Sequence, residues 1–354
     1  MSETKLARIT TPAGYGLLSL GPWRVLVHLR AGFVVIVLLL LLVGTSAVAL
    51  ASGTAQLSPG IALAAVFGHA EPSQVFLVQA LRLPRLLAGL LTGCALGVAG
   101  CLLQTLARNR LATPGVIGLD DGATAFAVAS IVAIPTSLAP SALALTGAAT
   151  AAALAFGLSG GAGARGYRFI VVGIGVGALF GALTNLMLAR TDIDSANHAY
   201  PWTVGTLNAR PESAVWLLAV GLLICLPLAK YVARSLNVMR FSDAVAQGLG
   251  IRLPRVRILT LLLAVVLTAL AVAVAGPVGL IALAAPELAR HTTGHRGLPV
   301  FTAGLAGALL MTAADWVGRT WFAPIEIPVG VVVAVVGGPY LLWIVLRQSS
   351  RYSV

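Results

Sequence analysis

Residues 258–286 read ILTLLLAVVLTALAVAVAGPVGLIALAAP, 29 positions without a charged side chain. A helix rises 1.5 Å per residue, so this run is too long for one straight crossing of a hydrocarbon layer about 30 Å thick. Gly276-Pro277 interrupts it, which predicts one full membrane helix followed by a shorter one. Working outward, charge-free runs recur at Ala31–Ala51, Leu86–Ala107 and Phe169–Ala189. Ser213–Ala229, Leu298–Ala314 and Ile327–Leu346 are further candidates, and Pro135 with Pro140 divides the long apolar stretch Gly122–Gly163 in two. The sum is ten transmembrane helices.

Composition agrees. Only 10% of the 354 residues are charged and 58% are hydrophobic, with a mean hydropathy of +0.97. Soluble domains carry about a quarter charged residues, so a water-soluble enzyme is excluded and an all-α polytopic membrane protein is expected. The net charge of +12 comes from short groups of bases between apolar runs. That pattern points to lipid headgroups as the partner, and no nucleic acid is expected.

With ten spans and both termini cytoplasmic, 18 of the Lys and Arg residues fall inside. Five fall outside: Arg82, Arg85, Arg190, Arg210 and Arg319. This asymmetry is the one expected of short loops in an inserted protein. Residues 1–30 read as a cytoplasmic arm, 31–347 as a single membrane domain and 348–354 as a cytoplasmic tail. The arm is not a cleavable signal, because its first apolar run starts late and is too long.

Three segments carry more than hydropathy. The first is Leu81-Arg82-Leu83-Pro84-Arg85, continued after a Gly-rich helix by Gln104 to Gly115. The second runs from Gly276-Pro277-Val278-Gly279 to Pro286-Glu287-Leu288-Ala289-Arg290. The third joins Ala314-Asp315-Trp316 and Arg319 to Glu326-Ile327-Pro328-Val329-Gly330 and Gly337-Gly338-Pro339. In this order, from Leu57 to Arg347, they resemble the permease subunits of iron-siderophore and vitamin B12 ABC importers, the FecCD type. The arm, with Leu17 to Pro22 and scattered arginines, most resembles permeases for ferric enterobactin-type siderophores. Two positions depart from the family's pattern. Asn109-Arg110-Leu111 stands where Asn-Pro-Leu is usual, and Pro286-Glu287 where Pro-His is common.

The resemblance implies the ten-helix type II importer fold in the bacterial cytoplasmic membrane. It implies a second permease (a paralogue in preference to an identical copy), two cytoplasmic ABC ATPases and a substrate-binding protein, with a ferric siderophore as cargo. Vitamin B12 or haem is the alternative. Arg82, Arg85 and Arg319 match positions that receive glutamates of the binding protein; pairing with Asp315 and Glu326, or with lipid phosphates, is the competing reading. Residues 239–256 match the coupling loop, with Ser242, Asp243, Ala244, Gln247, Gly248, Leu249 and Gly250 against the ATPase. An ordinary solvated connector is the plainer alternative. Ser242 suits a helix N-cap and Gly248 or Gly250 a stop. Asn109, Arg110, Leu111, Arg165 and Gly166 match the inner gate.

The chain is expected to bind no cofactor. A phosphate-binding loop needs Gly-x-x-x-x-Gly-Lys-Ser/Thr, and the only lysines, Lys5 and Lys230, follow no such loop. ATP and Mg would be used by the partner ATPase. His291 and His295 lack further ligands for a metal, and Cys94, Cys101 and Cys225 sit in apolar runs as ordinary buried thiols. Asp120-Asp121 reads as a helix cap or as a polar lining near the inner mouth. An ion-coupled secondary transporter is disfavoured, since the helix centres lack ionisable groups and Glu287 and Asp315 are expected at helix ends.

Overall fold

The structure is a computed structural model that describes residues 14–20, 23–53, 55–133, 139–160, 166–294 and 297–349. Lys5 and Arg8 of the N-terminal arm, the inner-gate candidate Arg165 and tail residues 350–354 lie outside the described residues.

The chain opens with β1 (Tyr15–Leu20) and β2 (Trp23–His28), which pair antiparallel from Tyr15↔His28 to Leu20↔Trp23. The hairpin lies in the arm ahead of the first membrane helix, and the all-α class of the membrane domain stands. Val, Tyr and Trp are strand formers, and here they flank, with several leucines, Gly21-Pro22, a turn-favouring pair. All other regular structure described is helical. The order is α1 (Leu29–Ala51), α2 (Pro59–Val66), α3 (Pro72–Phe76), α4 (Leu83–Leu106), α5 (Leu119–Val132), α6 (Pro140–Leu158), α7 (Gly166–Arg190), α8 (Ile193–Ala199) and α9 (Pro201–Val204). Then come α10 (Glu212–Met239), α11 (Asp243–Gly248), α12 (Leu253–Ala275), α13 (Gly279–Thr293), α14 (Val300–Thr320) and α15 (Val329–Ser349). A wide π-type turn, Leu77–Arg82, fuses α3 to α4 into one 35-residue rod.

Among the described residues, seven helical stretches are long and apolar enough to span a membrane. The shorter α5 and α13, and α15 with its apolar part Val329–Tyr340, complete the expected ten. The predicted division at Gly276-Pro277 is where α12 ends, with Gly276 at φ +75°. One run was underestimated: α10 continues past Ala229 through Lys230 and Arg234 to Met239, beyond what the lipid requires.

α4 is the centre of the bundle, packing on α10, α12, α13 and α14. Its apolar window is 72% buried, against 17% for α1, whose Phe33, Ile36, Leu40 and Val43 face outward as a lipid-facing helix should. Close approach at the centre depends on missing side chains. A methyl on Gly93 would collide with the carbonyl of Gly307, one on Gly97 with that of Ala303, and one on Gly100 with that of Ala282. The Gly173/Gly177 face of α7 packs likewise against Val116–Gly118.

Three chain breaks meet at one joint. Thr206 N donates to Ala275 O at 2.7 Å, and Gly330 N to Gly205 O at 3.2 Å. Gly205, at φ +80°, lies against Pro277, and Gly330 against Val204. In a layer without water every backbone group needs an internal partner, and here the broken helices supply each other's. The joint brings the Gly276-Pro277 and Pro328-Val329-Gly330 motifs side by side.

Candidate functional site

The polar side chains collect at the two ends of the bundle. At one end lie Arg82, Arg85 and Arg319, all assigned outside; at the other lie Arg30, Arg108, Arg110, Arg257 and Arg290, all assigned inside. The contacts respect this division: Arg30 donates to Thr292 O at 2.9 Å, tying the start of α1 to the end of α13.

The outer cluster is built around Asp315 of α14. Arg85 reaches Asp315 Oδ1 at 3.0 Å and Glu326 Oε2 at 2.9 Å, while Arg319 Nε donates to Asp315 Oδ2 at 3.1 Å. Arg82 turns inward. Its guanidinium donates to Leu50 O at 2.6 Å, to Ala51 O at 3.1 Å and to Ala55 O. Arg319 adds Ala49 O at 3.2 Å. Two arginines therefore satisfy the carbonyls that the end of α1 leaves without intrahelical partners. Arg82 and Arg85, though only three residues apart, do not face the same way. The π turn swings Arg82 into the protein, where it is 7% exposed. Pairing of Arg85 and Arg319 with Asp315, the competing reading, is what the geometry contains.

A fourth outer arginine, Arg210, stacks over Trp202 with Cζ 4.0 Å from the ring centre, and its Nε donates to Thr206 O at 3.0 Å. Burial lowers its pKa to about 10, so it stays charged at neutral pH.

At the inner end, Ser242 Oγ accepts from Val245 N at 3.0 Å and caps α11, the short helix expected in this loop. Asp243 accepts from Arg108 at 2.9 Å and Arg257 at 2.6 Å, which pins the first turn of α11 to the ends of α4 and α12. Gly250 closes the loop at φ +80°. The helix leaves Phe241, Val245 and Leu249 exposed, with Phe241 at 83%, while Ala246 packs inward. Gly248 faces open space, and Ala244 and Gln247 are exposed beside it. A cavity of about 120 Å³ lies behind α11, between Thr105, Leu106, Leu236 and Met239.

The gate candidates follow α4. Asn109 Oδ1 accepts from Leu111 N at 2.9 Å, and Leu111 is half exposed. Arg110 reaches Glu287 Oε1 at 2.9 Å, and Arg290 reaches Glu287 Oε2 at 3.0 Å. Arg290 also bonds Gln104, whose Nε2 donates to Leu283 O at 3.3 Å. Gly166 begins α7. Asp120 and Asp121 lie in the first turn of α5 without capping it, since the N-cap is Gly118. Their carboxylates rest beside Gly115 and Gly279, and Gly177, respectively.

Glu287 and Asp315 are not at helix ends. Glu287 lies two turns inside α13 and Asp315 more than one turn inside α14, both buried. Each is held by two arginines, which supply the compensation a buried carboxylate requires. A carboxylate so engaged is unsuited to picking up and releasing an ion. Sequence reading passed over Arg108 and Arg257; the one signal was their number around a single acidic residue in the loop.

Comparison with known proteins adds the following. The sequence profile of the FecCD transport family matches residues 37–347. The ferric enterobactin transport system permease protein of Escherichia coli (strain K12) is 36% identical over 317 residues, covering 88% of this chain and 96% of that protein. The achromobactin transport system permease protein of Dickeya dadantii is 35% identical over 315 residues, 88% and 90% of the two chains. The hemin transport system permease protein of Yersinia pestis is 36% identical over 282 residues, 77% and 84%. A solved inward-facing metal-chelate type ABC transporter superposes with a TM-score of 0.77 at 25% identity, covering 89% of this chain and 99% of that one.

Proposed function

The chain belongs to the FecCD transport family, and from that we propose that it carries a ferric siderophore through the bacterial cytoplasmic membrane by alternating access. It is a multi-pass permease subunit of an ABC importer and not itself catalytic. ATP and Mg are used by two partner ATPases, a second permease completes the pathway, and a binding protein delivers the cargo from outside. Relatives named for ferric enterobactin and achromobactin support a siderophore as cargo. The hemin relative favours haem as the second reading.

The observation that carries the proposal is α11. A capped helix at the cytoplasmic end, pinned by Asp243 and presenting Phe241, Val245 and Leu249 to the outside, is a ready docking element for an ATPase groove. An exposed apolar patch rimmed by charge marks an interaction site. At the other end the outer cluster holds Arg85 and Arg319 against two carboxylates, with Arg82 on the carbonyls at the end of α1. In this reading Arg85 and Arg319 receive acidic residues of the binding protein, with Arg82 as the support beneath them.

Gly248 faces open space, so a large side chain there leaves the subunit's own packing intact and obstructs only a partner. Gly248→Trp is expected to release the ATPases on co-purification, or to leave hydrolysis running without uptake of radio-iron-loaded siderophore. A variant complex that assembles and imports normally overturns the coupling assignment. Uptake of haem but not of ferric siderophore by the native complex shifts the cargo to the second reading.

A further inference from the structure

The two positions that depart from the family's pattern, 177 residues apart, meet in space. Arg110 Nη1 donates to Glu287 Oε1 at 2.9 Å. The two ends of this pair differ: the Glu287 side chain is 4% exposed and that of Arg110 57%. Two residues earlier, Arg108 holds φ +50°, a conformation rare outside glycine. Its guanidinium donates to Met239 O at 2.7 Å and to Asp243 Oδ1 at 2.9 Å. The short segment Arg108-Asn109-Arg110 therefore grips α11 on one side and α13 on the other. Between them Asn109 Oδ1 binds Leu111 N, which holds the turn's shape.

We infer that Arg108 and Arg110 are positioning residues that pass movement of α11 to α13, and so to the inner mouth, through the ion pairs Arg108–Asp243 and Arg110–Glu287. This rests on the reading of α11 as the ATPase-contacting helix. A displacement of α11 pulls on Arg108 through Asp243. Three residues in a held turn have little slack, so Arg110 either draws α13 along or lets go of Glu287. Letting go is open to it: Arg110 is solvated, and Glu287 keeps Arg290 at 3.0 Å and His291 at 3.1 Å. The pair is thus an exchangeable tie laid over a permanent one.

The test uses the whole complex, this chain with its partner permease and both ATPases, in lipid nanodiscs. A cysteine at Ala112, beside the segment, is labelled with a water-soluble maleimide with and without ATP and vanadate. Only preparations that retain both ATPases are scored. The native tie should give a labelling rate that changes at least about fivefold with nucleotide, and Arg110→Gln should cut that response below about twofold, in the range by which coupling residues act. Arg110→Lys should restore most of it, as should the exchange Arg110→Glu with Glu287→Arg. An undiminished response in Arg110→Gln overturns the inference, and so does failure of both Arg110→Lys and the exchange. If Arg110→Gln does not assemble, Arg108→Gln on the solvated Asp243 pair carries the same expectation and the same overturning result. Failure of the underlying reading looks different: Gly248→Trp then leaves both the ATPases and the nucleotide response in place.

Discussion

Arg85, Arg319 and Asp315 at the outer end have side chains 14%, 11% and 8% exposed, whereas Arg108, Arg110 and Arg257 at the inner end are 52%, 57% and 48% exposed. Both clusters are arginines around carboxylates, yet the outer arginines are buried, with only Glu326 half exposed, while most of the inner arginines are solvated around the buried Glu287 and the half-exposed Asp243. Removing one partner of a buried ion pair costs about 3–5 kcal/mol, because the survivor is left charged and undersolvated. An exposed pair contributes about 0–1 kcal/mol. The outer cluster is consequently a fixed junction between α1, α4 and α14, while the inner one is a set of ties that can be broken and remade during a cycle.

The sharpest way to break this comparison is at Arg82. Arg82→Glu sets a carboxylate against the carbonyl oxygens of Leu50, Ala51 and Ala55. It should cost at least about 3–5 kcal/mol, read as collapse of membrane-inserted yield and of the melting temperature in detergent. Normal yield with weakened binding-protein association would restore Arg82 to the docking surface. An intermediate effect is expected at Glu287, buried but with solvated partners. Glu287→Gln should cost about 1–3 kcal/mol, seen as a fall of a few degrees in the melting temperature of the assembled complex. A loss as large as that of Arg82→Glu would make the inner cluster a fixed junction too. The smallest effect belongs to Arg257→Ala, which should change stability by less than about 1 kcal/mol; thermal unfolding shifted by more would mean that α11 is clamped, not tied.

The membrane helices were legible in the sequence because each must present an uninterrupted apolar length to lipid, a requirement that leaves a direct imprint. Even the short α13 was foreseen from Gly276-Pro277. The sorting of the clustered arginines to opposite ends of the bundle was legible for a related reason, since charge asymmetry survives without any knowledge of packing. What did not show was where a charged side chain turns once its helix is placed. Arg82 and Arg85 look equivalent around Pro84, and only the π turn upstream separates a cap on backbone carbonyls from an ion pair with Asp315. Pairing over distance was equally hidden. Arg110 and Glu287 each registered as an anomaly, and their opposite charges were the only hint that one compensates the other. The hairpin β1–β2 was missed because alternating Leu and Val beside a membrane helix gives the same hydropathy as an unstructured apolar arm.

The joint of Gly205, Gly276-Pro277 and Gly330 also sets an order of manufacture. Residue 205 enters the membrane long before residue 330 is made, yet the carbonyl of Gly205 takes its hydrogen bond from the amide of Gly330. Until α15 arrives, backbone groups at this depth stand without their native partners, a condition costing several kcal/mol per group in lipid. The joint is therefore completed by the last helix, and a chain stalled or cut before residue 330 leaves the carbonyl of Gly205 without this donor.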